Sequence, residues 1–144
     1  MASSSPEPSQ GATLPPLAVV IPMFNEEQGA QACVEAVTAV LESGPGDARL
    51  IAVDDGSADA TTRLLDELAA RHPLLTVVHH EVNKGYGAAL RTGMASARYE
   101  LICFLDGDRQ FKVADLGRLI DRLAEPDRPD VVVGYRIKRA DPFI

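Results

Sequence analysis

No stretch of the chain approaches the ~20 consecutive apolar residues that a membrane-crossing helix needs, so no span is expected. The N-terminus also lacks the basic region and long apolar run of a secretory signal. Residues 1–16, rich in Ser, Pro and Gly, read instead as a disordered leader, with one ordered unit over 17–144. Cysteine is scarce. Cys33 and Cys103 each sit in an apolar segment and make no metal-ligand pair, which points to buried reduced thiols and a reducing, cytoplasmic compartment. Positive charge is in deficit, with 14 basic against 21 acidic side chains and a net charge of −7. That balance argues against nucleic acid or an anionic membrane surface as the main partner, while leaving room for a local basic pocket. There is no internal repeat.

Five short apolar runs alternate with helical patterns. Leu17–Ile21, Leu50–Val53, Leu75–Val78, Leu101–Leu105 and Val131–Val133 read as strands. The first has no polar alternation, as expected of a strand buried on both faces. Between them, helices are expected over about 26–41, 59–71, 85–97 and 113–123. Asn25 is read as the N-cap of the first helix with Gln28 three residues on, and Cys33, Val37, Val40 and Leu41 as its apolar stripe. Leu64, Leu65 and Leu68 face inward from the second, which His72-Pro73 ends. Leu90, Gly93, Met94 and Ala97 share a face of the third, where small residues would allow close contact with a sheet. Val113, Leu116, Ile120 and Leu123 line the fourth. Repeated strand–helix–strand units imply an α/β fold with a mostly parallel sheet, right-handed crossovers and helices on both faces.

Two nucleotide-binding signatures are absent. The first strand–helix turn, Pro22–Glu27, has no glycine, whereas a dinucleotide-binding oxidoreductase needs G-x-G-x-x-G there. The only G-x-G is Gly85-Tyr86-Gly87, with Leu90 in the third glycine position. No Walker-type phosphate loop is present either, which argues against a P-loop phosphoryl-transfer enzyme.

What is present are polar motifs, one after each apolar run: Pro22-Met-Phe-Asn-Glu-Glu27, Asp54-Asp-Gly-Ser57, Asn83-Lys-Gly-Tyr-Gly87, Asp106-Gly-Asp-Arg-Gln110 and Gly134-Tyr-Arg136. Open α/β sheets bind ligands beyond the carboxyl ends of their strands, so all five should converge on one rim. Asp106 and Asp108 flank Gly107, which permits a tight backbone. Two such charges a few ångströms apart repel by up to roughly 4 kcal/mol at an effective dielectric near 20. A hard divalent cation, Mg²⁺ or Mn²⁺, removes that repulsion and can bridge diphosphate oxygens, with Gln110 as a further oxygen ligand. Asp108 as the N-cap of the last helix is the structural alternative. Asp54–Ser57 is either a turn and cap or a carboxylate for a base N–H. Asn83–Gly87 is either a glycine turn or a phosphate-approaching loop with Lys84 beside it. Arg136, at a strand end, is a phosphate candidate. His79 and His80 read as strand-end surface residues.

Taken together, I-P-M-F-N-E-E, V-D-D-G-S, N-K-G-Y-G, D-G-D-R-Q and V-G-Y-R resemble family 2 glycosyltransferases of the GT-A fold. The branch most similar is the dolichyl- or polyprenyl-phosphate sugar synthases. The resemblance covers about Leu17 to Ile144 and is carried by the set of motifs rather than by any one. It implies that Pro22, Phe24 and Glu26 line a nucleoside pocket, with Phe24 where the family often has tyrosine. It places Val53 and Asp55 at the base or ribose, and Asp106, Gly107 and Asp108 at the diphosphate. Asp106, Asp108 and Gln110 would hold the metal, and Arg136 would face phosphate or sugar. The implied reaction is inverting transfer from a UDP- or GDP-sugar to an acceptor such as a polyprenyl phosphate. Family members continue past this point with an acceptor-facing segment, so the resemblance implies the nucleotide-sugar-binding part, truncated before the acceptor-binding part. A non-catalytic nucleotide-binding module is the alternative for such a piece.

Overall fold

The computed structural model describes residues 14–44, 46–107, 112–127 and 129–134. Eight elements alternate along it: β1 (Leu17–Met23), α1 (Ala30–Ser43), β2 (Ala48–Asp54), α2 (Thr61–Arg71), β3 (Leu75–His79), α3 (Tyr86–Ser96), β4 (Leu101–Phe104) and α4 (Val113–Leu123). All strand pairs are parallel, in the order β3-β2-β1-β4. The α/β class and parallel sheet expected from the sequence are therefore observed.

The unbroken apolar run of β1 has a direct structural cause, because its alternate residues feed two cores. Val19, Ile21 and Met23 join Leu50 and Ala52 beneath α1, α2 and α4, which supply Val34, Val37, Leu65, Leu68, Leu116 and Ile120. Ala18 and Val20 join Ile51 and Val53 on the opposite face, against Ala89 and Ala97 at the two ends of α3. Full burial of a Val, Leu or Ile side chain is worth about 1.5–3 kcal/mol, so a polar residue anywhere in β1 would cost one core or the other. Gly93 is where α3 meets the sheet. A Cβ there would stand 2.2 Å from Cγ1 of Val20 and 3.2 Å from Cγ2 of Val53, so the close contact expected of the small residues is real.

Several expectations are corrected. Helix α1 begins at Ala30 with Gly29 at the cap position, not near Glu26 with Asn25 as cap. Asn25 instead adopts φ 51°, and its side chain accepts from the Ala58 amide (2.8 Å) in the loop after β2. An Asn spends its hydrogen bonds wherever tertiary partners lie, and tolerates a left-handed backbone better than most residues. The buried row of α3 is Ala89, Gly93 and Ala97, and Met94 is exposed. At α4 the cap position is held by Lys112, and the expected cap residue Asp108 lies outside the described residues. Val131–Val133 form no strand, and Val131 and Val133 are 73% and 75% exposed. β-branched residues favour a strand only where a neighbouring strand and a packed face receive them. Of residues 14–16, assigned to the leader, Leu14 lies in the larger core, and the carbonyl of exposed Pro16 accepts from the Leu101 amide (3.1 Å).

Cys33 and Cys103 form no disulfide and are half-buried, and burial pushes the Cys103 thiol up to about 11, in keeping with an inert reduced thiol. Among the described residues no helix is long and apolar enough to cross a membrane.

Candidate functional site

The parallel register brings the carboxyl ends of the strands to one edge. Met23 of β1 lies opposite Asp54 of β2, which lies opposite His79 of β3. Beyond β4 the ladder continues with the Leu105 amide donating to the Val20 carbonyl (3.0 Å). The strand order reverses between β1 and β4, since β2 and β3 run off one side of β1 and β4 lies on the other. Such a switch point opens a crevice between the loops after the two strands. Pro22–Glu27 and Asp106–Gly107 stand on its two sides.

The loops are stitched by hydrogen bonds rather than by apolar packing. The Asn25 amide donates to Oγ of Ser57 (3.0 Å), the Glu26 amide to Oγ1 of Thr61 (2.8 Å) and the Ala60 amide to Oε2 of Glu27 (3.0 Å). Glu27 thereby caps α2 from a neighbouring loop and puts negative charge at its N-terminus. Gly56 allows the next layer. Its φ is +68°, and a Cβ would meet the backbone of Val82 and Asn83 at 2.4 Å. The loop after β2 therefore lies directly against the loop after β3.

The two aspartates that end β2 point inward. Asp54 accepts from the Ser57 amide (3.1 Å), from the Thr62 hydroxyl and from Nδ1 of His79 (2.9 Å). Burial alone would raise its carboxyl, but these hydrogen bonds outweigh burial and hold it below its ordinary value. The turn reading of Asp54–Ser57 is thus correct for Asp54. Asp55 takes the Lys84 amide (2.8 Å) and Nδ1 of His80 (2.8 Å) on Oδ1, and the Gly85 amide (2.9 Å) on Oδ2. Here too the donors overcome burial, with His80 the leading one, and lower the carboxyl. A carboxylate has about four acceptor sites, so three donors leave one, on Oδ2.

His79 is exposed at the end of β3 as expected, whereas His80 overturns its expected surface role. His80 is 6% exposed at the side chain, with Nε2 on Oγ1 of Thr92 (2.8 Å). His79 bridges Asp54 and Asp66, the latter at 2.7 Å from Nε2. Sequence spacing misses the Asp54–His79 and Asp55–His80 pairs because each joins residues 25 positions apart at the ends of adjacent strands. The tandem Asp54-Asp55 and His79-His80 at strand ends were the available signal.

The remaining expected residues fall as follows. Phe24 is 46% exposed on the rim, free to offer an aromatic face. Pro22 and Glu26 are half-buried beside it. Val53 is fully buried in the α3-side core, so its side chain does not face the rim. Gly107 is buried, and a Cβ there would stand 3.1 Å from the Pro22 carbonyl, which draws the loop after β4 against that after β1. Asp106 is exposed and accepts from the Tyr86 hydroxyl (2.8 Å) at the start of α3. Its hard oxygen donors at the mouth of the crevice suit a divalent cation. Asp108, Gln110 and Arg136 lie outside the described residues.

The comparisons with known proteins agree with this geometry. Residues 18–143 match the family described as Glycosyl transferase family 2. A dodecaprenyl-phosphate galacturonate synthase of Rhizobium johnstonii is 40% identical over 126 residues, covering 87% of this chain and 37% of that protein. An undecaprenyl-phosphate 4-deoxy-4-formamido-L-arabinose transferase of Aeromonas hydrophila is 34% identical over 128 residues, covering 88% and 39%. Among solved structures, the mannosyltransferase PcManGT from Pyrobaculum calidifontis, in complex with GDP-Man and Mn²⁺, superimposes with a TM-score of 0.67 at 25% identity, covering 84% of this chain and 37% of that one. The chain thus spans less than two-fifths of the length of these relatives. The family match over residues 18–143, together with the shared fold, leads to one assignment: the chain belongs to glycosyltransferase family 2, with the GT-A fold.

Proposed function

We propose that this chain binds the nucleotide-sugar donor, a UDP- or GDP-sugar, for an inverting glycosyl transfer to an acceptor of the polyprenyl-phosphate kind. The observation that carries the reading is the meeting of strand-end loops at the switch point, where Gly107 lies against the Pro22 carbonyl and exposed Asp106 bonds to Tyr86. Family membership and the names of the relatives support the same chemistry.

Phe24, Pro22 and Glu26 would line the nucleoside side, and the one open acceptor site of Asp55 would take a base or ribose donor. Asp106, Gly107 and Asp108 would hold the diphosphate, and Arg136 would face phosphate or sugar. Asp106, Asp108 and Gln110 would hold Mg²⁺ or Mn²⁺, and the complex of PcManGT with Mn²⁺ supports this. A bound cation supplies positive charge that stabilises the departing nucleoside diphosphate. A phosphate acceptor is already ionised, so the chain need not present a strong general base. Such an acceptor would bring a cytoplasmic protein to the membrane surface.

Titration calorimetry with UDP and GDP tests the reading. Saturable binding is expected with Mn²⁺, with a loss of at least tenfold in EDTA or in Asp106→Asn, since Asn keeps the shape but not the charge a hard cation needs. Equal affinity with Mn²⁺ and with EDTA would remove the metal from the scheme. Asp108→Asn is expected to behave as Asp106→Asn does.

A further inference from the structure

We propose that His80 is a positioning residue of the donor site: held by Thr92, it fixes the Asp55 carboxylate and, through it, the Lys84–Gly85 turn that presents Tyr86 to Asp106. The inference rests on the donor-binding reading and names a residue that the strand-end motifs leave out.

The links are continuous. With its proton on Nδ1, the His80 imidazole donates to Oδ1 of Asp55 (2.8 Å), and Nε2 accepts the Thr92 hydroxyl (2.8 Å) from the exposed-to-buried flank of α3. Thr92 belongs to the helix whose buried row is clamped on the sheet at Gly93, so the far end of the relay is anchored in the core. Asp55, 4% exposed at the side chain, has no freedom to choose other partners, and both its oxygens receive backbone amides of the next loop, Lys84 and Gly85. Gly85 has φ +94° and is the N-cap position of α3, so the direction in which that helix starts depends on this bond. Tyr86, the first residue of α3, then reaches Asp106 on the far side of the crevice (2.8 Å). One imidazole thereby holds together the ends of β2, β3 and β4. His79 does not share this role, since its partners are Asp54 and Asp66 and none of these atoms touches the Lys84–Tyr86 turn.

Loss of an outer partner of a ligand group typically costs about tenfold or more in affinity, and that is the effect expected here. The test uses His80→Ala, His80→Asn and, as a destabilised control, Leu68→Ala in the opposite core. Asn places an amide N–H where Nδ1 stands, and Ala places nothing. Two readouts are taken on each: affinity for UDP and GDP with Mn²⁺, and hydrogen exchange of the Lys84 and Gly85 amides by NMR. Expected are an affinity loss of roughly tenfold and faster exchange at both amides in His80→Ala, recovery of most of both in His80→Asn, and no specific change in Leu68→Ala. Parent-like exchange at Lys84 and Gly85 in His80→Ala overturns the proposal. So does an affinity loss no larger than that of a Leu68 variant of equal stability. Should His80→Ala not fold, His80→Gln, whose amide falls at Nε2 and leaves Asp55 without its donor, decides by the same amide readout. A parent chain that binds neither UDP nor GDP overturns the donor reading instead, and the exchange data still decide the role of His80.

Discussion

At the scale of single residues, the two neighbouring histidines show how partners set chemistry. His79 has a carboxylate at each ring nitrogen, an arrangement that only the doubly protonated ring can satisfy. Burial pulls its pKa down, but Asp66 and Asp54 outweigh that and raise it above 6.5. A raised folded value means that the stabilisation is complete below the unfolded pKa and is lost as pH rises through the folded one. In urea titrations the difference in stability between the parent and His79→Gln is expected to be full below 6.5 and to shrink as pH rises through the raised folded value. A difference independent of pH would show that the bridge carries no charge. Asp54 and Asp55 act in the opposite direction: their lowered values stabilise the fold above about 3.8, and that contribution is lost as pH falls through the folded values. Gly56 is the other single residue on which the rim depends. Gly56→Ala meets both a left-handed backbone and the main chain of Val82–Asn83. A loss of at least about 2 kcal/mol is expected in chemical denaturation, together with weaker nucleotide binding. A variant as stable as the parent would mean that the two loops are not held apart by contact at Gly56.

At the scale of elements, α3 is the helix on which the site turns. It alone covers its face of the described sheet, and its first residue contacts Asp106. Gly93→Ala separates two opposed effects. Alanine gains about 1 kcal/mol of helix propensity over glycine, but its Cβ would overlap Val20, a side chain stiff at χ1 in the middle of β1. Overpacking of this kind costs about 1–3 kcal/mol, so net destabilisation of roughly 1–2 kcal/mol is expected by thermal or urea unfolding. A stabilised Gly93→Ala would show that α3 rides higher on the sheet than the structure places it. The failed fifth strand belongs to this scale as well. Val131 and Val133 carry the right side chains for a strand, yet both face solvent, because strand formation needs a ladder and a face that the local sequence does not contain.

At the scale of the whole molecule, the switch between β1 and β4 brings together the loops after both strands, in a chain that belongs to glycosyltransferase family 2. The turn from β1 into α1 carries Phe24, Asn25 and Glu26 and a single glycine, Gly29 at the helix cap, so it lacks the G-x-G-x-x-G spacing that brings a dinucleotide pyrophosphate onto a helix start. Fluorescence titration with NADH is therefore expected to give no saturable signal at concentrations where UDP or GDP with Mn²⁺ binds. Tight NADH binding would count against the donor site described for these loops.

Sequence alone determined the alternation of strands and helices as far as α4, the parallel sheet, and the placement of polar motifs after β1 to β4. These follow from periodicities of two and 3.6 residues and from uninterrupted apolar runs, all of which are local. Helix α4 fell where its apolar spacing put it, because Leu116 and Ile120 serve one core and nothing competes for its first turn. Tertiary structure decided what local signals cannot carry. Asn25 left the helix cap for Ala58, 33 residues away, and the histidines found Asp54, Asp55, Asp66 and Thr92 across strand and helix boundaries. A short polar side chain forms whichever hydrogen bonds the assembled loops bring within about 3 Å, and buried ones must find a partner. The order β3-β2-β1-β4 that brings those loops together is a property of the packed sheet, set by burial of β1 on both faces, and no window of the sequence contains it.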